Sequence, residues 1–265
     1  MLLRINHETL YSYDVPVDYG LQQLRLRPKS RPGQEIVEWN VEVEGGRLEL
    51  SFEDEHANTV DLVSFTPGET RVAIRCYGVI DAEDRQGIVG PQKGFVPLWL
   101  FRRSTDLTRP GPGIRAMVDG LAPQDNGLAT LHDLSAVILE HMPWNLARTD
   151  VQTQAEDSLS RGEGVCQDHA HVFVTAARLM GYPARYVSGY LLMDDRVDQD
   201  ASHAWAEAHV DGLGWVGFDI SNGISPDERY IRVATALDYR GAAPVSGMRF
   251  GIGEEKLQVS LQVQQ

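Results

Sequence analysis

The period of the apolar residues changes once along this chain, and that change constrains the fold more than any other feature. In EIVEWNVEVEG, Ile36, Trp39, Val41 and Val43 share one face while Glu38, Asn40, Glu42 and Glu44 fill the other, with Val37 out of step. In TRVAIRCYGVI, Val72, Ile74 and Cys76 alternate with Arg71, Ala73, Arg75 and Tyr77. RLELSF and TVDLVSF flank EDEHAN and read as a hairpin. A period of two means half-buried strands, and several short strands separated by turns predict a sandwich over roughly the first ninety residues. Cys76 falls on the buried face, where a thiol behaves as a small hydrophobe.

From residue 128 the period becomes helical. Leu128, Leu131, Leu134, Val137, Ile138 and His141 recur at three- and four-residue spacing and stop at Pro143. A second helix is predicted from Cys166 through Ala170, Phe173, Val174, Ala177 and Met180, with Gly181 as its C-terminal cap and Pro183 beyond. ARYVSGYLLM reads as a buried strand, followed by the acidic loop DDRVDQDAS, by SHAWAEAHV, by a DGLG turn and by WVGFDIS. RYIRVATALDYR and KLQVSLQV are expected to be strands as well. The stretch between the two regimes is rich in glycine and proline and reads as a connection with a short helix near Ile114–Val118. The expected organisation is therefore α+β: a β-sandwich-like region over 1–95, a connecting segment over 96–127, and a core of helix packed on antiparallel sheet over 128–265 that includes the C-terminal strands.

A net charge of −14 and a pI near 4.9 argue against nucleic acid or an anionic membrane as partner, since an acidic surface repels both. The opening MLLRINHETLYSYDVPV has too short an apolar run for a signal peptide, and no segment approaches the ~18–20 apolar residues of a membrane span. Two cysteines, 76 and 166, make no disulfide framework, and the expected location is the cytoplasm.

GEGVCQDHAHVF places Cys166 at a helix start, where unpaired N–H groups and the helix dipole favour the thiolate. Gly162 and Gly164 permit a sharp turn and leave room for a substrate, and the Cys166 N–H is a candidate oxyanion donor. Such a thiolate needs an imidazole, and the imidazole an orienting acceptor. His203 and Asp219 lie on two predicted strands joined by DGLG, so parity decides whether they can meet. A two-residue turn would set His203 opposite Asn222 and turn Asp219 to the other side. A three-residue loop would set His203 opposite Ser221, with Asp219 as its diagonal neighbour on the same face. Gly212 and Gly214 suit the odd loop.

GVCQDHAHVFVTAARLMGYPARYVSGY, then SHAWAEAHVDGLGWVGFD, resembles the bacterial transglutaminase-like family, often described as candidate cysteine proteases. HETLYSYDVPVDYGLQQLRLRP and LDYRGAAPVSGMRFGIGEEKLQV resemble the ends of such proteins. The resemblance implies a papain-like core in which Cys166 is the nucleophile, His203 the base and Asp219 the acid. It also implies acyl transfer through a thioester, a peptide or protein amide as substrate, and no cofactor. Trp205 and Trp215 are candidate walls of a substrate channel, with core packing as the alternative. Asp194, Asp195, Asp198 and Asp200 read as a solvated loop that rims the cleft.

Two rival readings compete with the enzyme. One is a scaffold that keeps the fold without chemistry, for which retention of all three triad residues has no use. The other is metal binding by Cys166, His169, His171 and His203, although His171 points away from the helix face shared by Cys166 and His169. Asp168, His169 and His171 are expected to cap the helix and hydrogen-bond in the core.

Overall fold

The computed structural model describes residues 1–122, 126–145, 150–194, 196–199 and 201–265. The chain opens with β1 (Leu2–Tyr13), β2 (Tyr19–Arg27), β3 (Gln34–Glu44), β4 (Gly46–Glu53), β5 (Thr59–Phe65) and β6 (Arg71–Ala82), then a short β7 (Ile88–Gly90). The predicted alternation is visible along β1, whose even and odd positions separate into exposed and buried. It fails in β3 where Val37 was out of step: a bulge there turns Val37 to solvent, and the strand resumes with Trp39, Val41 and Val43 inward. The β4–β5 hairpin forms as read, and Cys76 is fully buried in β6.

A turn of 3-10 helix (Leu98–Arg102) and α1 (Pro112–Gly120) occupy the Gly/Pro-rich connection. Then come α2 (Gly127–His141), α3 (Ala155–Arg161), α4 (Cys166–Leu179), β8 (Ala184–Leu191), β9 (Asp198–Gln199), β10 (His203–Val210), β11 (Gly214–Phe218), β12 (Tyr230–Ala236), α5 (Tyr239–Ala242), β13 (Val245–Phe250) and β14 (Glu255–Gln264). Gly181, in a left-handed conformation, follows α4 as predicted.

Three sheets result, in the orders β3-β6-β1-β14-β9, β13-β2-β5-β4 and β12-β8-β10-β11-β7. The first two share one apolar core, in which Leu3, Ile5, Ile74 and Leu261 meet Leu24, Leu26, Val63 and Phe65, and so form the sandwich. The tail crosses back to it: β13 pairs with β2, and β14 with β1. In the other direction, β7 leaves the sandwich to pair with β11.

The third sheet wraps α4. Ala204, Ala206 and Ala208 of β10 point at the helix, and small residues let the two backbones approach. Sequence periodicity gave α4 one apolar stripe, but the helix is buried on almost every side, including His169, His171, Thr175 and Arg178. Its other sides are covered by α1, α2, α3 and the 3-10 turn, which a single stripe cannot report.

Two side-chain amides join sandwich to core. Gln34 accepts from Arg232 N at 2.8 Å and donates to Arg232 O at 3.0 Å; Asn58 does the same with Thr235, at 2.8 Å each way. Each amide stands in for a neighbouring strand, so the free edge of β12 is satisfied without one. Tyr190 of β8 seals the junction by reaching into the sandwich core, where its hydroxyl meets His7 Nδ1 at 2.9 Å and Cys76 Sγ at 3.3 Å.

Candidate active site

Cys166 is the first residue of α4 and is half-buried. The approach to it is held on both sides. α3 ends at Gly162 in a left-handed conformation, and Gly164 pairs in parallel with Trp144, donating to Pro143 O and accepting from Asn145 N. Asp168 then locks the helix start: its Oδ2 accepts from Val165 N and its Oδ1 from Ser158 Oγ, both at 2.9 Å. A Cβ on Gly164 would lie 2.8 Å from the Asp168 Cβ. The side-chain space at Gly164 is thus taken by the capping carboxylate, and its small size serves the cap rather than the substrate assigned to it from sequence.

His203 opens β10 and Asp219 follows β11 directly; both are buried. Val210 pairs with Gly214 and Ala206 with Phe218, so the connecting loop, Asp211–Leu213, has three residues. Gly212 and Gly214 both have positive φ, +83° and +81°, which that loop requires. The odd parity leaves His203 and Asp219 on one face. His203 Nε2 sits 2.6 Å from Asp219 Oδ2. Cys166 lies beside the imidazole, close enough to act on its ionisation.

Burial pushes His203 down, but Cys166 beside it, hydrogen bonds to Asp219 and Cys166, and the Asp219 charge outweigh that and raise it to about 10. Asp219 shows the mirror image. Burial pushes its carboxyl up, yet hydrogen bonds from His203, Tyr230 and Asn222 and the charge on His203 hold it below the usual carboxylate range. The two shifts together favour an imidazolium paired with the Asp219 carboxylate.

The other histidines beside Cys166 have different partners. His169 Nε2 faces Met142 O and its Nδ1 faces Ser221 Oγ, each at 2.7 Å, so Nε2 donates and Nδ1 accepts. His171 Nε2 accepts from Tyr239 N at 3.1 Å, and burial lowers its pKa to about 4. Among the described residues no three His, Cys, Asp or Glu side chains are grouped to hold a metal ion.

Neither tryptophan forms an open channel wall. Trp215 is 1 % exposed and packs on Phe101, with its Nε1 donating to Gln92 Oε1 at 2.7 Å. Trp205 is 3 % exposed and stacks on His203 with 6.2 Å between ring centres, as a packing wall behind the imidazole. Trp205 packs with Val187, Leu191 and Tyr230, and Trp215 with Val96 and Phe101 at the 3-10 segment. In the acidic run, Asp194 is exposed and ion-pairs Arg229 at 3.6 Å, while Asp198 accepts from Gln262 at 2.8 Å. Asp195 and Asp200 lie outside the described residues.

Two residues to which the sequence reading gave no role at the site complete the group. Tyr230 Oη and Asn222 Nδ2 each donate to Asp219 Oδ2 at 2.7 Å, and Asn222 N donates to Oδ1 at 3.2 Å. Asn222 had a local signal, because an aspartate that caps the backbone three residues on is an Asx-type turn. Tyr230 had none: it reaches Asp219 from β12, across β8 and β10.

Residues 115–220 match the model of the transglutaminase-like superfamily, and residues 3–81 match that of the bacterial transglutaminase-like N-terminal region. A Cytophaga hutchinsonii protein described as a candidate cysteine protease has the same fold, with a TM-score of 0.77 at 17% identity, over 100% of this chain and 98% of its own. An uncharacterized Mycobacterium leprae protein is 25% identical over 275 residues, 98% of both chains. An uncharacterized Mycobacterium tuberculosis protein is 34% identical over 137 residues, 48% of this chain and 44% of its own. The chain therefore carries a transglutaminase-like core over residues 115–220 and a bacterial transglutaminase-like N-terminal region over residues 3–81.

Proposed function

We propose that this protein transfers acyl groups from an amide or peptide bond by thiol chemistry, with Cys166 as nucleophile, His203 as acid and base, and Asp219 as the group that orients His203. The observation that supports this most is the His203 ring held 2.6 Å from Asp219 Oδ2, with Cys166 beside it at a helix start. The thiolate attacks the carbonyl carbon, and the developing oxyanion takes a hydrogen bond from the Cys166 N–H, one of the first-turn donors with no partner inside the helix. The C–N bond breaks as the imidazolium protonates the leaving nitrogen, which leaves a thioester and a neutral His203. Water or a second amine then attacks the thioester and gives its proton to His203, and the C–S bond breaks to restore the thiolate. Hydrolysis and transamidation share every step but this last.

Iodoacetamide alkylation across pH, with the labelled residue identified by mass spectrometry, tests the reading. Fast labelling of Cys166 well below pH 8, slowed in His203→Ala and indifferent to chelators, is the expected result. Slow labelling with the pH profile of an ordinary thiol would overturn it. A panel of fluorogenic amides, with and without added amine, then separates hydrolysis from transfer.

A further inference from the structure

The face of β10 that carries His203 and Trp205 continues to Glu207, whose carboxylate is fully buried. Two guanidiniums converge on it. Arg185 of β8 donates from Nε to Oε2 at 2.6 Å and lies 3.8 Å from the centre of the Trp215 ring; Arg232 of β12 brings its Nε within 2.8 Å of Oε1. A third, Arg31, stands half-buried between β2 and β3 within the field of both Glu207 and Arg185. Its Nε reaches the Lys29 carbonyl at 3.4 Å, and among the described residues no carboxylate lies within ion-pair distance of it. Three guanidiniums around one carboxylate leave positive charge uncompensated in a poorly hydrated place, and such a site favours an anion.

Glu207, Arg31 and Arg232, together with Arg85, border a recess of about 70 Å³ between Arg31, the backbone at Gly87 and the sheet face at Trp205 and Tyr230, and Arg185 stands behind Glu207. Since a water takes up roughly 30 Å³, the recess admits a carboxylate. Neither Cys166, His203 nor Asp219 borders it, and Trp205 stands between it and the imidazole.

The mouth has the opposite sign. At Arg31, Gly33, Gln34 and Glu83 the recess opens into a hollow of about 630 Å³ whose other charged walls are Glu35, Asp81, Asp84 and Glu228. Asp81 is paired with the N-terminal ammonium and Asp227, inside the recess, with Arg229. Glu35, Glu83, Asp84 and Glu228 have no cationic partner among the described residues. A plain anion meets repulsion at the mouth, and a plain cation meets it at the arginines. A molecule carrying both charges satisfies both ends.

We propose that recess and mouth form one site for a free α-amino acid or a close zwitterionic analogue, with its carboxylate on Arg31 beside Arg232 and its ammonium turned to Glu83. Cys166, His203 and Asp219 lie outside this site, which shares Trp205 and Tyr230 with their surroundings.

Isothermal titration of the full chain with glycine, and separately with its two halves, acetate and methylammonium, tests this. Glycine should bind, and each half should bind at least about tenfold more weakly. Arg31→Gln should weaken glycine at least about tenfold, the loss of a charge-assisted pair, with the circular dichroism spectrum and the Cys166 alkylation rate unchanged. Glu83→Gln, at the exposed mouth, provides a second variant that should narrow the preference for glycine over acetate. No glycine binding at millimolar concentration, acetate equal to glycine, or unchanged glycine affinity in Arg31→Gln would overturn the assignment. Glycylglycine binding more tightly than glycine would also overturn it, in favour of a peptide.

Discussion

Tyr230 donates its phenolic hydrogen bond to Asp219 Oδ2 at 2.7 Å, on the same oxygen that His203 Nε2 meets at 2.6 Å. One carboxylate oxygen therefore serves the imidazole in front and a buried phenol behind, and burial with the Asp219 charge raises the Tyr230 pKa well above that of a free phenol. Tyr230→Phe keeps the ring and removes the donor. It should lower kcat/KM for an amide substrate about tenfold, the scale of one hydrogen bond to a charged group, and shift the acidic limb of the pH–rate profile upward. An unchanged acidic limb would make Tyr230 a packing residue alone.

Asp219→Asn preserves shape and removes the charge that selects the His203 tautomer. Turnover should fall on the order of 10³–10⁴, as in hydrolytic triads generally, while the thermal midpoint changes far less. Matched turnover and melting measurements on the purified variant check this, and retention of full turnover would remove Asp219 from the mechanism.

The pKa shifts set a window for stability. His203 lies at about 10, above its ordinary 6.5, so its contribution is whole below pH 6.5 and is lost as pH rises towards 10. Asp219 lies below its ordinary 3.8, so its contribution is present above that pH and is lost as pH falls through the lowered value. Urea melts of the wild type and of a His203→Gln/Asp219→Asn variant should differ most between about pH 4 and 6.5. A gap that widens on the alkaline side would contradict the pairing.

Cys76 is fully buried, and burial pushes its thiol up to about 12 despite the hydrogen bond with Tyr190. Under native conditions one thiol per chain should react with iodoacetamide. The second should follow the rate of global unfolding in urea. Native labelling of both would show that the junction at Tyr190 opens.

Gln34→Ala removes the side chain that stands in for a strand against Arg232, and strands an N–H and a C=O at the junction. The expected loss is about 2 kcal/mol, read from urea midpoints. Asn58→Ala, which strips the same kind of pair from Thr235, should cost a similar amount.

Legibility in the sequence followed the range of the signal. β3 and β6 were readable because alternation is local, and even Val37 announced its bulge by breaking step. His203 and Asp219 were candidates because a hairpin converts loop length into facing, but the three-residue loop Asp211–Leu213 was settled by the strand register. Alternation gives a side and not what lies upon it, so the choice between channel wall and core packing at Trp205 and Trp215 needed the structure, which buries both rings. At Gly164 the side chain that fills the nearby space, Asp168, sits one helical turn on.

By itself the sequence determined the change from strand to helix and the thiol at a helix start, and it permitted the parity that turns His203 and Asp219 to one side. These depend on residues near one another in the chain, where backbone geometry does the bookkeeping. Only the tertiary structure decided that β13 and β14 return to the N-terminal sheets, that Tyr230 holds the far side of Asp219, and that Arg31 and Glu207 border one recess. Such contacts follow from which sheets share a core, and no spacing along the chain encodes them.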